Sequence, residues 1–72
     1  MASNAQTVLI DINAVKRQTG FRSTQTIYNK MENEGFPRPI AAGVRTKRWI
    51  LEEVESWIQD RIAESRESEV QQ

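Results

Sequence analysis

TGFRSTQTIYNKMENEGFPRPI, residues 19–40, is the part of the chain that indicates the fold most clearly. Thr19 and Gly20 are typical of a helix end, because glycine adopts the left-handed conformation that follows a last helical turn. Ser23 or Thr24 is then suited to cap the start of another helix. Two helices joined by a short turn that contains glycine predict a helix-turn-helix unit.

The second helix of this unit is predicted from its apolar spacing. Ile27 and Met31 lie four residues apart and therefore share one helical face, with Tyr28 beside them and Phe21 leading in. Gly35 is expected to close the helix. A helix-turn-helix of this kind favours DNA binding, and a generic helical hairpin without a ligand is the alternative.

Outward from this unit, the N-terminal side supplies the first helix. Asp11 is a good N-cap, and the helix is predicted to run from about Ile12 to Gln18. The preceding Val8-Leu9-Ile10 is either a short strand or the hydrophobic entry to the helix. Residues 1–7 are polar and without periodicity, which predicts a disordered lead-in.

The C-terminal side begins with a segment that cannot be helical. Its two prolines lack a donor N–H and disfavour helix in the residue before them, so Phe36–Ile40 is expected to be extended. Ala42–Val44 is a plausible turn, and Arg45–Trp49 a returning strand. The resulting hairpin is rich in Arg and Lys, which favours contact with phosphate or a DNA groove over the alternative of a solvated hairpin that packs under the helices.

A last helix carries one apolar stripe that must face the core. Trp57 in this stripe is expected to be a core residue, and the acidic residues of the helix a solvated face. From about Glu64 the chain is polar and expected to fray, so the folded domain is predicted over residues 8–63 and a polar acidic tail over 64–72. The predicted core comprises Ile12, Val15, Phe21, Ile27, Met31, Phe36, Ile40, Trp49, Val54, Trp57, Ile58 and Ile62.

Composition narrows the function. The 72 residues suffice for one small domain, and they include no cysteine and no histidine, which argues against disulfides, zinc chemistry and the commonest general base. No apolar run is long enough for a bilayer, and no signal pattern is present. We therefore expect a cytoplasmic protein that is not an enzyme and has no catalytic residue, cofactor or metal.

Charge is unevenly distributed along a chain whose net charge is zero. Residues 14–50 carry eight basic and two acidic side chains, whereas residues 51–72 carry two basic and seven acidic ones. A basic middle followed by an acidic end indicates an electrostatic partner for the basic part. An ordinary mixed surface is the alternative that charge alone leaves open.

Several short motifs together resemble the AlpA family. They are the run Gly35–Ile40, then Gly43, Arg45 and Trp49, and then Glu53–Ile58, in order within about residues 9–62. The family combines a Thr-Gly turn, an Ile-Tyr recognition helix, a Phe-Pro-x-Pro wing and a Glu-Val-x-x-Trp closing helix. Between Thr-Gly and Ile-Tyr this chain is about one residue longer. The resemblance implies a short DNA-binding protein of prophages, related to MerR-type domains and phage excisionases.

The expected fold is mainly α, a winged helix-turn-helix with three helices and a small two-stranded β-hairpin wing. Its second helix would enter the major groove of double-stranded DNA, where base edges carry a donor and acceptor code. The candidate contacts of this helix are Arg22, Ser23, Gln25, Thr26, Tyr28, Asn29 and Lys30. The candidate contacts of the wing are Arg38, Arg45, Lys47 and Arg48.

Two biological uses fit such a module. The first is an excisionase, or recombination directionality factor, that steers an integrase toward excision; the second is a transcriptional regulator of prophage genes. The excisionase is favoured because the chain leaves no residues for the dimerisation helix and effector domain of a MerR-type activator. A third use is a protein-interaction module whose wing contacts an acidic partner. The free protein is expected to be a monomer that assembles cooperatively on DNA.

Overall fold

The computed structural model describes residues 7–70 and shows the predicted winged helix-turn-helix. The predicted lead-in lies, except for Thr7, outside the described residues. None of the described helices is long and apolar enough to cross a membrane. In chain order the elements are β1 (Leu9–Ile10), α1 (Ile12–Thr19), α2 (Thr24–Asn33), β2 (Ile40–Ala41), β3 (Lys47–Ile50) and α3 (Leu51–Val70).

Local capping sets the ends of the first two helices. Asp11 Oδ1 accepts the N–H of Ala14 at 2.9 Å and begins α1, and Gly20 ends it in the left-handed conformation with φ 83°. Of the two predicted caps of α2, Ser23 is the one used: its Oγ accepts the N–H of Thr26 at 3.1 Å. The turn between the helices is therefore as short as the sequence predicts.

The end of α2 redirects the chain into the wing. The N–H groups of Glu34 and Phe36 both donate to the carbonyl of Lys30, at 2.8 and 3.2 Å. Gly35 lies between them with φ 71°, a conformation that strains other residues. Phe36 is thereby turned into the core, where it is 2% exposed.

The predicted two-stranded wing is present, and a third strand, β1, joins its sheet. β3 is central and pairs antiparallel with β2 on one side and β1 on the other, with Leu9 opposite Ile50 and Ile40 opposite Arg48. Of the two readings of Val8–Ile10, the strand is correct. It was ambiguous in sequence because its partner lies forty residues further along the chain. The β2–β3 hairpin forms the wing itself.

A single core fills the space between the helices and the sheet. Its buried residues are Val15, Ile27, Met31, Phe36, Trp49 and Val54, and Ile10, Ile12, Phe21, Tyr28, Trp57 and Ile58 pack around them. The assignment of two residues to the core is wrong. Ile40 is 41% exposed because its pairing with Arg48 puts it on the sheet face opposite Trp49. Ile62 is 37% exposed because α3 has passed the core at that point.

The last helix also continues beyond the predicted end of the domain. Instead of fraying from about Glu64, α3 runs to Val70, and the side chains from Ala63 to Glu67 are exposed. An ion pair between Arg61 and Glu64 at 2.6 Å spans one turn of this part. Residues 71 and 72 of the predicted tail lie outside the described residues.

Candidate nucleic-acid interface

The helix α2 has one buried face and one exposed face. Ile27 and Met31 point into the core and are 0% and 6% exposed. Gln25 and Asn29 lie on the outside, one turn apart, and Gln25 Nε2 donates to Asn29 Oδ1 at 3.1 Å. These two predicted contacts therefore form one amide pair with further donors and acceptors directed to solvent.

The start of α2 is held by hydroxyl groups. The Ser23 and Thr26 hydroxyls lie 2.8 Å apart, and Ser23 also caps the helix. Their oxygens are therefore engaged within the protein, which makes both residues better suited to hold the helix start than to read a base. Arg22 immediately precedes the cap and is exposed.

A groove separates the N-terminal half of α2 from the wing. Its volume is about 470 Å³. Thr24 and Tyr28 belong to the helix side, and Arg45, Lys47 and Arg48 to the wing side. Four predicted contacts from two distant parts of the sequence are therefore brought together. The complete lining is Asp11, Ile12, Thr24, Tyr28, Arg45, Thr46, Lys47, Arg48 and Trp49.

Strand geometry sorts the basic residues of the wing. Lys47 is exposed and shares a face of β3 with Trp49, whereas Arg48 is half-buried on the opposite face and donates to the carbonyl of Lys47 at 3.0 Å. Arg45 lies before the strand, in the exposed tip of the hairpin. Arg45 and Lys47 are therefore the freer of the three cations.

Two of the predicted contacts that do not line the groove lie close to acidic residues. Lys30 pairs with Glu34 at 3.0 Å, and its ammonium lies 5.6 Å from the centre of the Phe21 ring. Arg38 precedes β2 and turns back to the end of α2, where it lies 3.7 Å from Glu32 and 3.5 Å from the Met31 carbonyl. Its assignment to the hairpin is wrong, because the extended Phe36–Pro39 segment lies beside α2 before the wing begins.

The groove also holds residues that the sequence did not mark as contacts. Thr24 follows the N-cap of α2, so the sequence already placed it beside the predicted contacts of that helix. Asp11 and Thr46 had no such signal, because only the tertiary structure brings the cap of α1 close to the wing. Asp11 places one negative charge among three positive ones.

A separate part of the surface is acidic. A second groove of about 680 Å³ lies between α3 and the start of the wing segment, with Glu52, Glu53 and Asp60 in its lining together with Gly35 and Trp57. The two grooves therefore carry charges of opposite sign. Among the described residues no group of acidic side chains is arranged to hold a metal ion.

Comparison with known proteins gives one family. The family described as prophage CP4-57 regulatory protein (AlpA) matches residues 9–62, about three quarters of the chain. The match begins at the first residue of β1, includes the whole helix-turn-helix and wing, and ends within α3. No curated protein matches the chain.

Proposed function

Since the chain belongs to the AlpA family of prophage regulatory proteins, we propose that it binds double-stranded DNA sequence-specifically, with α2 in the major groove and the wing beside it. The major groove is wide enough for an α-helix, and the second helix of a helix-turn-helix is the element that enters it. Such a role places the protein with the bacterial DNA, in the cytoplasm.

The observation that carries this proposal is the basic groove between α2 and the wing. A helix and a hairpin that stand on either side of a groove are able to straddle one phosphate backbone, the helix in the major groove and the hairpin over the neighbouring minor groove. Arg45 and Lys47 then lie where phosphates pass. The acidic groove of α3 shares no lining residue with the basic groove.

Specificity is assigned to the exposed amide pair of α2. Gln or Asn recognises adenine through its N6 and N7 atoms. The bond between Gln25 and Asn29 orients both amides before DNA arrives, which lowers the entropy that binding must overcome. Arg22 at the helix start is suited to the O6 and N7 atoms of guanine.

The salt dependence of binding tests the DNA interface. With about four to six phosphate contacts, a plot of log affinity against log salt should have a slope of about −4 to −5 on a random duplex. Replacing Arg45 and Lys47 by Ala should make that slope shallower by about two, one for each lost phosphate contact. Glu52→Gln on the acidic side is the control and should leave the slope unchanged. An affinity that hardly changes with salt would contradict the proposal and favour a protein-interaction module.

Within this DNA-binding role we propose an excisionase that steers an integrase. The supporting features are the prophage family and the charge distribution of the domain, in which an acidic groove, available to a neighbouring protein, is separate from the basic groove. A transcriptional regulator of prophage genes is the alternative, and the same interface serves it. Neither use requires catalysis by this chain.

Footprinting combined with a recombination assay distinguishes the two uses. The full chain is added to the DNA that flanks its gene, with and without the integrase encoded beside it. An excisionase should protect several repeats next to the attachment site and make excision by the integrase dependent on its presence. Protection confined to one promoter, with excision unaffected, would overturn this assignment in favour of transcriptional regulation.

A further inference from the structure

The tip of the wing presents an apolar side chain entirely to solvent. Val44 is 100% exposed, whereas the other exposed large hydrophobic residues of the described chain are at most 45% exposed. It follows Gly43 and precedes Arg45, so a single apolar side chain stands at the extremity of a basic hairpin. It packs against no part of its own domain, and the fold therefore makes no use of it.

The tip is held in a defined loop. The N–H of Ala42 donates to the carbonyl of Thr46 at 2.8 Å and closes the loop at its base. A Cβ atom added to Gly43 would lie 3.3 Å from Thr46 Oγ1, so the loop is closely packed on its inner side. The outer side is occupied by the fully exposed Val44, and Arg45, which follows it, lines the basic groove.

On the DNA-binding mode proposed above, we infer that Val44 enters the minor groove and selects A·T pairs by excluding the 2-amino group of guanine. If α2 occupies the major groove, the wing meets the minor groove beyond the adjacent phosphate backbone, as flanking arms do in other helix-turn-helix proteins. Arg45 and Lys47 then lie near the backbone, and Val44 extends to the groove floor.

The chemistry of the Val44 side chain fits this floor. In the minor groove an A·T pair shows only the acceptors adenine N3 and thymine O2, whereas G·C adds the guanine N2 donor. The methyl groups of Val44 rest against adenine C2–H, while Arg45 beside it contacts the phosphate backbone. At G·C the amino group would meet methyl groups that accept no hydrogen bond, which leaves a buried donor unpaired.

Modified bases test this contact without touching the major groove. The full chain first selects its preferred duplex from a random library. Each A·T pair flanking the major-groove site is then replaced by 2,6-diaminopurine·T, which adds only the 2-amino group and leaves N6 and N7 in place. At the position under Val44 the affinity should fall about tenfold, which corresponds to about 1.4 kcal/mol. Inosine in place of guanine at that position should reverse the loss that G·C causes.

Two variants attribute the effect to the side chain. Val44→Ala makes room for the amino group, so its diaminopurine penalty should fall to about twofold or less. Val8→Ala, the same change on a half-exposed valine next to β1, should keep the full penalty. Since Val44 makes no contact in the domain, its variant should melt as the parent does.

Three results would overturn the inference. They are the absence of a diaminopurine penalty at every flanking position, an equal penalty in Val44→Ala, and a penalty that Val8→Ala also removes. In each of these cases sequence-specific binding and the proposed function stand. A chain that enriches no duplex from the library would overturn the proposed function, and this inference with it.

Discussion

Asp11 accepts the N–H of Ala14 and so begins α1, yet it also lines the basic groove with Arg45, Lys47 and Arg48. An N-cap needs an acceptor oxygen, which an uncharged amide also provides. A negative charge, in contrast, repels the phosphate that the groove is proposed to hold. At this residue the fold therefore needs the acceptor oxygen but not the charge, and the charge acts only against the proposed DNA contact.

We expect Asp11→Asn to tighten DNA binding without loss of stability. Removing one charge near the phosphate path should raise the affinity for a random duplex about threefold at low salt, since exposed charge pairs contribute about 0–1 kcal/mol. Fluorescence anisotropy and a melting curve provide the measurements. Asp11→Ala is the control: it also removes the charge but loses the cap, at a cost of about 1 kcal/mol in stability. Unchanged or weaker binding by Asp11→Asn would place Asp11 away from the DNA.

The Gln25 and Asn29 amides are expected to act as one unit. Each change to Ala should cost about 1–3 kcal/mol on the selected duplex and much less on a scrambled one. Because the two side chains are hydrogen-bonded at 3.1 Å, the double variant should cost at least about 0.5 kcal/mol less than the two single losses combined. Arg45→Ala serves as the control, since loss of a phosphate contact weakens both duplexes. Equal losses on both duplexes from the α2 variants would show that another surface reads the sequence.

At the scale of the elements, α3 holds the end of α2 in place through Trp57. Its indole Nε1 donates to the Glu34 carbonyl at 3.0 Å, and its ring meets Phe36 edge-on with the centres 4.9 Å apart. The residue is half-buried rather than fully enclosed. It stabilises the point at which the chain leaves α2 for the wing, and so supports the relative position of the two elements that are proposed to bind DNA.

Two substitutions of Trp57 separate its packing from its hydrogen bond. Trp57→Phe keeps an aromatic ring against Phe36 and loses the bond to Glu34, so the free energy of unfolding should fall by about 1 kcal/mol. Trp57→Ala should cost about 3 kcal/mol, toward the lower end for large aromatic residues because the side chain is only half-buried. Urea unfolding followed by circular dichroism measures both. An Ala variant as stable as the parent would show that the ring does not support the fold.

The elements also show which features are readable from sequence. The caps at Asp11 and Ser23 and the turn at Gly20 were predictable because each depends on residues within one helical turn. The strand β1 remained open, and Ile40 was wrongly assigned to the core, because strand pairing and sheet face depend on distant residues. The sequence predicted Tyr28 as a contact of the helix and Arg45 as a contact of the wing, but not the groove that they share. No local pattern indicated that Arg38 turns back to α2.

The whole molecule is elongated and polarised. It extends 49 × 37 × 19 Å, with a basic groove between α2 and the wing and an acidic groove along α3. Copies bound at adjacent DNA sites are therefore able to meet with opposite charges, the basic wing of one beside the acidic groove of the next. Exposed ion pairs of this kind contribute only about 0–1 kcal/mol each.

This weakness predicts a monomer in free solution. A stable dimer usually buries at least about 1,000 Å² with an apolar centre, and the apolar stripe of α3 is already turned to its own core through Val54 and Ile58. Its outer face carries Glu52, Glu53 and Asp60, which do not supply such a centre. Sedimentation at micromolar concentration should give a mass near 8.3 kDa. A dimer that persists on dilution would contradict this and favour a two-fold-symmetric promoter regulator.

On DNA the same weak contact should produce cooperative binding, because neighbouring sites raise the effective concentration of one copy for the next. A duplex with two adjacent selected sites should fill more steeply than a duplex with one. Neutralising the acidic groove with Glu52→Gln and Glu53→Gln should remove this cooperativity and leave the affinity for a single site unchanged, since both residues lie away from the basic groove. Moving the second site by half a helical turn provides the control, because it carries the acidic groove to the far side of the duplex. If cooperativity survives both changes, it is transmitted through the shape of the DNA and not through contact between the two proteins.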